Sequence, residues 1–315
     1  MLAVHLENGA VSVRKAPIPR PREGFSLVRV LAAGICNTDL ELQRGYYGFR
    51  GRPGHEFVGE VVESGRKELV GRRVAGEINL ACGECDWCAR GLGRHCPRRT
   101  VLGIVRHPGA FAEYLTLPDS NLHAVPKTVS IEEAVFAEPA AAAGEILDQV
   151  RLPARGRVAV LGDGKLGLLI AQVLRLRGAD VVLYGRHGGK LAIARAAGVE
   201  TVRGAAKLPT AEFRLTVDAT GSREGLASAV AMTQPRGTVV MKSTVHGAVV
   251  LDAAPVIVNE ITLVGSRCGR MRPALRLLPK LNLEPMIHAR YRLAEAAAAF
   301  TEAARPGVLK VLLTP

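Results

Sequence analysis

Aromatic side chains are scarce: one tryptophan, five tyrosines and seven phenylalanines in 315 residues, 4% of the chain. A single-strand nucleic-acid binder interleaves bases with stacking rings, and no such run is present. The formal charge of +13 is large, but its Lys and Arg residues are scattered rather than gathered in a stripe. Nucleic acid is therefore not an expected partner, and a basic surface that attracts anionic cofactors is the better reading. Long hydrophobic runs are also missing. Glycine or charge interrupts every apolar stretch well before the ~20 residues that a membrane span needs, so no membrane association is expected. The N-terminal stretch carries Glu7 and no basic leader followed by an apolar segment, so a signal peptide is not expected. Cysteine is rare as well, and four of the six residues fall between positions 82 and 96. That clustering argues against a disulfide scaffold and for the cytoplasm. No internal repeat or low-complexity linker is evident.

What is there reads as an ordinary globular protein, 48% apolar and 23% charged, long enough for about two domains. Up to about Pro126 the chain is strand-like and Gly-rich. Phe25 to Leu31, Phe57 to Val62 and Phe111 to Leu117 alternate β-branched or aromatic residues between turn residues, which predicts an antiparallel, barrel-like domain. From about Ser130 Ala-rich helical stretches alternate with short apolar strands. Strands are expected at Arg157 to Leu161, Val181 to Tyr184, Leu215 to Ala219, Thr238 to Met241 and Ile261 to Val264. This alternation predicts a parallel sheet with crossover helices. The tail adds a helix, Leu293 to Ala304, and a strand, Leu309 to Leu313.

Cys82, Cys85, Cys88 and Cys96 spell Cys-x2-Cys-x2-Cys-x7-Cys. One short lobe with this spacing brings four thiolates to tetrahedral corners, as a closed zinc site requires. Cysteines two residues apart fit disulfide geometry poorly. Because all four corners are thiolate, such a site is structural.

Arg157 to Leu161 runs directly into Gly162-Asp-Gly164-Lys165-Leu166-Gly167 and then a helix that stops at Gly178. A strand, GxGxxG and a helix in that order form a dinucleotide cradle. Gly162 allows the tight turn, Gly164 lets a pyrophosphate approach backbone N–H groups, and Gly167 lets helix and strand pack closely. The next strand ends Tyr184-Gly185-Arg186-His187, with Lys190 close by. An NAD-type fold places an acid near this point to bind the ribose 2′-hydroxyl. Here Gly185 stands there, and the guanidinium of Arg186 suits a 2′-phosphate. NADP(H) is therefore favoured over NAD(H).

Two further segments, Gly34-Ile-Cys36-Asn-Thr38-Asp39-Leu-Glu41 and Gly54-His55-Glu56-Phe-Val-Gly59, hold Cys, His and carboxylate, the ligand types of a catalytic zinc with an open position. Together with the four-cysteine lobe and the GxGxxG, in this order along nearly the whole chain, they resemble the zinc-dependent medium-chain alcohol, polyol and glucose dehydrogenases. The resemblance implies an α/β protein with a GroES-like antiparallel β-barrel catalytic domain over 1–138 and 286–315, carrying the zinc lobe at 82–96. A Rossmann domain with a doubly wound parallel sheet would span 139–285. It also implies two zinc ions per chain, one structural and one catalytic. Cys36 and His55 would bind the catalytic ion, with either Glu56 or Glu138 as the third ligand. Asp39 would orient His55, and Thr38 would take the substrate proton. Glu41 would end that relay, bind a substrate hydroxyl, or simply be a surface acid at a helix start. Thr220 and Lys310 are implied to lie near the cofactor, Lys310 at its phosphates. Cys268 is read as a packed thiol rather than a ligand, and Tyr46 and Tyr47 as possible pocket walls. The implied function is hydride transfer between an alcohol, polyol or sugar hydroxyl and a nicotinamide coenzyme, in a homodimer or homotetramer. The competing reading is a metal-free or catalytically silent nucleotide-binding protein on the same fold. That reading predicts gaps in the Cys36/His55 set, and there are none. The segment before Gly103 lacks an acid found in some glucose dehydrogenases, which weakens a strict glucose assignment.

Overall fold

The computed structural model describes residues 1–204, 208–243 and 248–315. The chain divides into two compact units. The first comprises Met1–Glu138, Met271–Pro279 and Ile287–Pro315, and the second Pro139–Arg270 and Lys280–Met286. The first unit thus takes in the tail from Ile287 and also the stretch Met271–Pro279. Within that stretch Met271–Leu277 is a helix with Met271, Ala274 and Leu275 buried.

Phe25–Ile35 is the central strand of the first unit's seven-stranded sheet. It pairs antiparallel with Glu56–Glu63, with Tyr114–Pro118 along its first half and with Lys310–Thr314 along its last residues. Two register shifts against Glu56–Glu63, at Leu27/Val28 and Val30/Ala32, give the strand room to bend between these partners. Its buried Val28, Val30, Ala32 and Ile35 share the core with Val58, Val61, Leu115 and Val311. The sheet is not wholly antiparallel, because Ile287–Arg292 pairs parallel to Lys310–Thr314 at one edge. The Ile287–Arg292 strand escaped sequence reasoning because its side chains (IHARYR) are mostly polar, as suits an edge.

In the second unit six parallel strands are ordered Glu200–Arg203, Asp180–Gly185, Arg157–Leu161, Phe213–Asp218, Thr233–Met241, Thr262–Gly265. Numbered along the chain, this is the 3-2-1-4-5-6 order of the doubly wound dinucleotide fold. The four strands interior to the sheet are rich in buried Val, Ala and Leu, as parallel strands covered on both faces must be. Glu200–Arg203 was not expected; with the sequence ETVR and no buried residue it carries no apolar signal. Among the described residues no helix is long and apolar enough to cross a membrane.

Candidate metal and nucleotide sites

Cys36 ends the central strand and begins the helix Asn37–Gln43, with extended backbone at φ −98°, ψ 161°. Asp39, two residues into that helix, is fully buried. Its Oδ2 accepts the Cys36 N–H at 2.9 Å and its Oδ1 accepts the Gly54 N–H at 3.1 Å. One carboxylate thereby ties together the two loops that carry Cys36 and His55. Gly54 sits at φ +100°, and a Cβ there would lie 2.5 Å from the Phe111 ring, so only glycine fits. His55 Nδ1 lies 3.5 Å from Asp39 Oδ1. That nitrogen is buried and makes no hydrogen bond. Burial alone would lower the His55 pKa; the Asp39 carboxylate and then Cys36 outweigh it and hold the imidazole well above its ordinary value.

Ligand atoms of Cys36, His55 and Glu56 all lie within 4.8 Å of one another. Thiol, imidazole and carboxylate brought together, with His55 and Glu56 buried and Cys36 half-buried, fit a three-ligand zinc site that keeps a position open. Glu138 is not part of this cluster. It stands in the first turn of Ala137–Gly144, half-buried, with its pKa pushed up to about 7 by burial first and then by the charges of Glu56 and Glu77, against His55 and Lys310. Thr38 Oγ1 is 3.9 Å from Cys36 Sγ. Glu41 pairs with exposed Arg44 at 2.5 Å. Nearby, the Tyr46 and Tyr47 rings meet at a tilt of 40° with centroids 4.0 Å apart.

Lys310 stands elsewhere than the sequence suggested. Its side chain is 1% exposed and its ammonium donates to Glu56 Oε2. Phe136 lies beneath it, ring centroid 5.6 Å from Nζ. Burial would lower the Lys310 pKa, and the charge of Glu56 reverses the shift. An ammonium enclosed in this way is committed to a carboxylate of the donor cluster, not offered to a phosphate. No local motif announces the pair, since 254 residues separate its partners.

In the 82–96 lobe the thiols approach as Cys85–Cys88 3.5 Å, Cys96–Cys82 3.5 Å, Cys85–Cys96 3.7 Å and Cys82–Cys88 3.8 Å. The edge of a tetrahedron with Zn–S bonds of ~2.3 Å is about 3.8 Å, so the four sulfurs already stand at zinc spacing. They are not at disulfide spacing, and all four are free. Cys268 lies outside both clusters found among the described residues.

The phosphate turn has the expected geometry. Gly162 sits at φ +107°, where a Cβ would lie 2.5 Å from Ala219 O, and a Cβ on Gly167 would lie 1.9 Å from Gly162 O. Gly164 caps the helix Lys165–Leu176 and has nothing within 4 Å of where its Cβ would be, which leaves the helix start, with Lys165 and Leu166, open to a pyrophosphate. Thr220 is held by Asp218 Oδ1, which accepts its N–H at 2.9 Å and its hydroxyl at 2.7 Å. At the end of Asp180–Gly185, Arg186 and His187 are exposed and Lys190 is half-buried. Two residues not singled out in the sequence join them. Asp163 bonds the backbone of Arg186 and His187, and Arg203 Nε donates to Arg186 O at 3.4 Å.

Residues 22–127 match the alcohol dehydrogenase GroES-like domain family and residues 166–280 the zinc-binding dehydrogenase family. The chain is 33% identical to L-threonine 3-dehydrogenase of Streptomyces coelicolor, over 99% of both chains. It is 28% identical to D-arabitol-phosphate dehydrogenase of Enterococcus avium, over 94% of this chain and 91% of that one. Among solved structures it is similar to a zinc-binding dehydrogenase from Sinorhizobium meliloti 1021 bound to NADP, with a TM-score of 0.91 and 32% identity over 100% of this chain and 99% of that one.

Proposed function

The chain belongs to the zinc-dependent medium-chain dehydrogenases and is an oxidoreductase, and from that premise we propose that it transfers hydride between an alcohol, polyol or sugar hydroxyl and NADP(H), with one catalytic and one structural zinc. The observation that carries this reading is the convergence of Cys36, His55 and Glu56 into one donor cluster, with His55 and Glu56 buried and Cys36 half-buried. A zinc ion held there would supply Lewis acidity toward the substrate oxygen.

The chain's own residues provide the rest. Asp39 holds both ligand-bearing loops and orients His55. Glu56, rather than Glu138, is the third ligand, because its carboxylate is in the cluster and that of Glu138 is not. Lys310 balances the charge of Glu56. Thr38, two residues after Cys36, takes the substrate proton, while the pairing of Glu41 with Arg44 supports its reading as a surface acid. The four-cysteine lobe is a structural staple. At the nucleotide turn, Gly185 in place of an acid and the cations Arg186, His187 and Lys190 favour a 2′-phosphate. Val250, Ile257 and Val258, exposed before the Thr262–Gly265 edge strand, support a homodimer or homotetramer.

Metal analysis of the purified protein is the direct test. Two zinc ions per chain and loss of turnover in Cys36→Ser, with the fold retained, support the enzyme. One zinc per chain, retained in Cys36→Ser, would instead identify a nucleotide-binding protein without a catalytic centre. A panel of simple alcohols, polyols, sugars and their phosphates, followed by NADPH absorbance, identifies the substrate.

A further inference from the structure

The acid inside the phosphate turn does not point to solvent. Asp163 is 7% exposed and reaches across to the end of the neighbouring strand. There Oδ2 accepts the N–H groups of Arg186 at 2.8 Å and His187 at 2.6 Å, and His187 Nδ1 lies 3.0 Å from Oδ1. Burial would raise the Asp163 pKa, but the His187 contacts and the Arg186 N–H outweigh it and keep the carboxylate below its ordinary value. Its charge is thus consumed within the loop.

The same side chain occupies the place where a ribose-binding acid would stand. A Cβ on Gly185 would lie 2.6 Å from both Cβ and Oδ2 of Asp163. An acid at 185 would therefore collide with Asp163 and repel it. From the other side Arg203 closes the loop. Its Nε donates to Arg186 O, and its Nη1 lies 3.3 Å from where a Gly188 Cβ would be. The backbone of residues 185–188 is held on both sides, with the Arg203 guanidinium against it, and the Arg186 side chain is left exposed.

We infer that Asp163 is the positioning residue for coenzyme choice: by binding the Arg186 and His187 N–H groups it excludes an acid from position 185 and holds Arg186, flanked by Arg203, as a receptor for a phosphate monoester on the adenosine ribose. This deepens the proposed NADP(H) preference and rests on it. A role for Asp163 as a direct acceptor of the ribose hydroxyl fits less well, because its oxygens already serve three donors.

The test is calorimetric titration of the zinc-loaded protein with 2′-phospho-ADP-ribose and with ADP-ribose, fragments that report binding without turnover. The parent is expected to bind the phosphorylated fragment more tightly, by about 10-fold or more, as a charge-assisted contact provides. Asp163→Ala should weaken 2′-phospho-ADP-ribose by about 10-fold and ADP-ribose by no more than about 3-fold. Asp163→Asn, which keeps an acceptor oxygen, should retain most of the preference. Gly185→Asp alone should lose both fragments. Combined with Asp163→Ala it should regain ADP-ribose and reject the 2′-phosphate.

A parent with no preference refutes the coenzyme reading itself, and this inference with it. A parent preference that survives Asp163→Ala, or an equal loss of both fragments in that variant, overturns the inference alone. If Asp163→Ala does not fold, Asp163→Asn and the Gly185→Asp single variant still decide. Asp163→Asn that weakens both fragments equally, or Gly185→Asp that binds ADP-ribose like the parent, is overturning.

Discussion

The Lys310 ammonium is buried against the Glu56 carboxylate, joining the last strand of the first unit to one candidate zinc ligand. An ion pair enclosed in this way is costly to break from one side, because the remaining charge stays in a low-dielectric space.

Lys310→Met should therefore destabilise the metal-free protein by about 3–5 kcal/mol. The double variant Lys310→Met, Glu56→Gln should recover most of that loss. Urea unfolding of chelator-treated protein measures both. Equal destabilisation in the single and double variants would show that Lys310 contributes packing rather than charge.

Asp39→Ala removes the acceptor of both the Cys36 and Gly54 N–H groups. It should lower zinc affinity at the Cys36/His55/Glu56 site by about 10- to 100-fold and leave the four-cysteine site unchanged. Stepwise removal of zinc with a competing chelator separates the two ions. Asp39→Asn, which keeps one acceptor oxygen, should fall between parent and Asp39→Ala.

Cys88→Ser opens the tetrahedron of the 82–96 lobe. One zinc per chain should be lost and the melting temperature should fall, while the Cys36/His55/Glu56 site still binds its metal. Loss of both ions in Cys88→Ser would show that the lobe supports the second site directly.

Glu138 gives a pH signature in the metal-free protein. Its pKa is raised from 4.5 to about 7, so between those values the folded state binds a proton that the unfolded state has released. Stability from this group must fall as pH rises through that window and level off above about 7. Glu138→Gln should flatten the fall, with a gain of no more than about 3 kcal/mol at pH 8. Chemical denaturation at pH 5 and pH 8, with and without the substitution, checks the sign. A gain larger at pH 5 than at pH 8 would contradict it.

The fold class and much of the candidate site were legible before any coordinates. Cys82, Cys85, Cys88 and Cys96 span so short a segment that connectivity alone brings their thiols together. The Gly162 to Gly167 turn is likewise local, because a strand that must reverse into a helix beneath a phosphate needs glycine at fixed offsets. The four interior parallel strands showed themselves by the apolar runs that burial on both faces requires, and the edge strand Thr262–Gly265 by its apolar Leu263 and Val264, whereas the polar edges Glu200–Arg203 and Ile287–Arg292 did not.

What the sequence determined by itself is the set of donors and the two motifs, since each depends on neighbours within a few turns of chain. Only the tertiary structure decided between Glu56 and Glu138 as the member of the donor cluster, turned Lys310 from a phosphate contact into the partner of Glu56, and showed Asp163 filling the space beside Gly185. Those relationships depend on which distant groups share a buried space. Burial sets the electrostatic cost of each charge, and so its partner, and no local pattern in the chain encodes that enclosure.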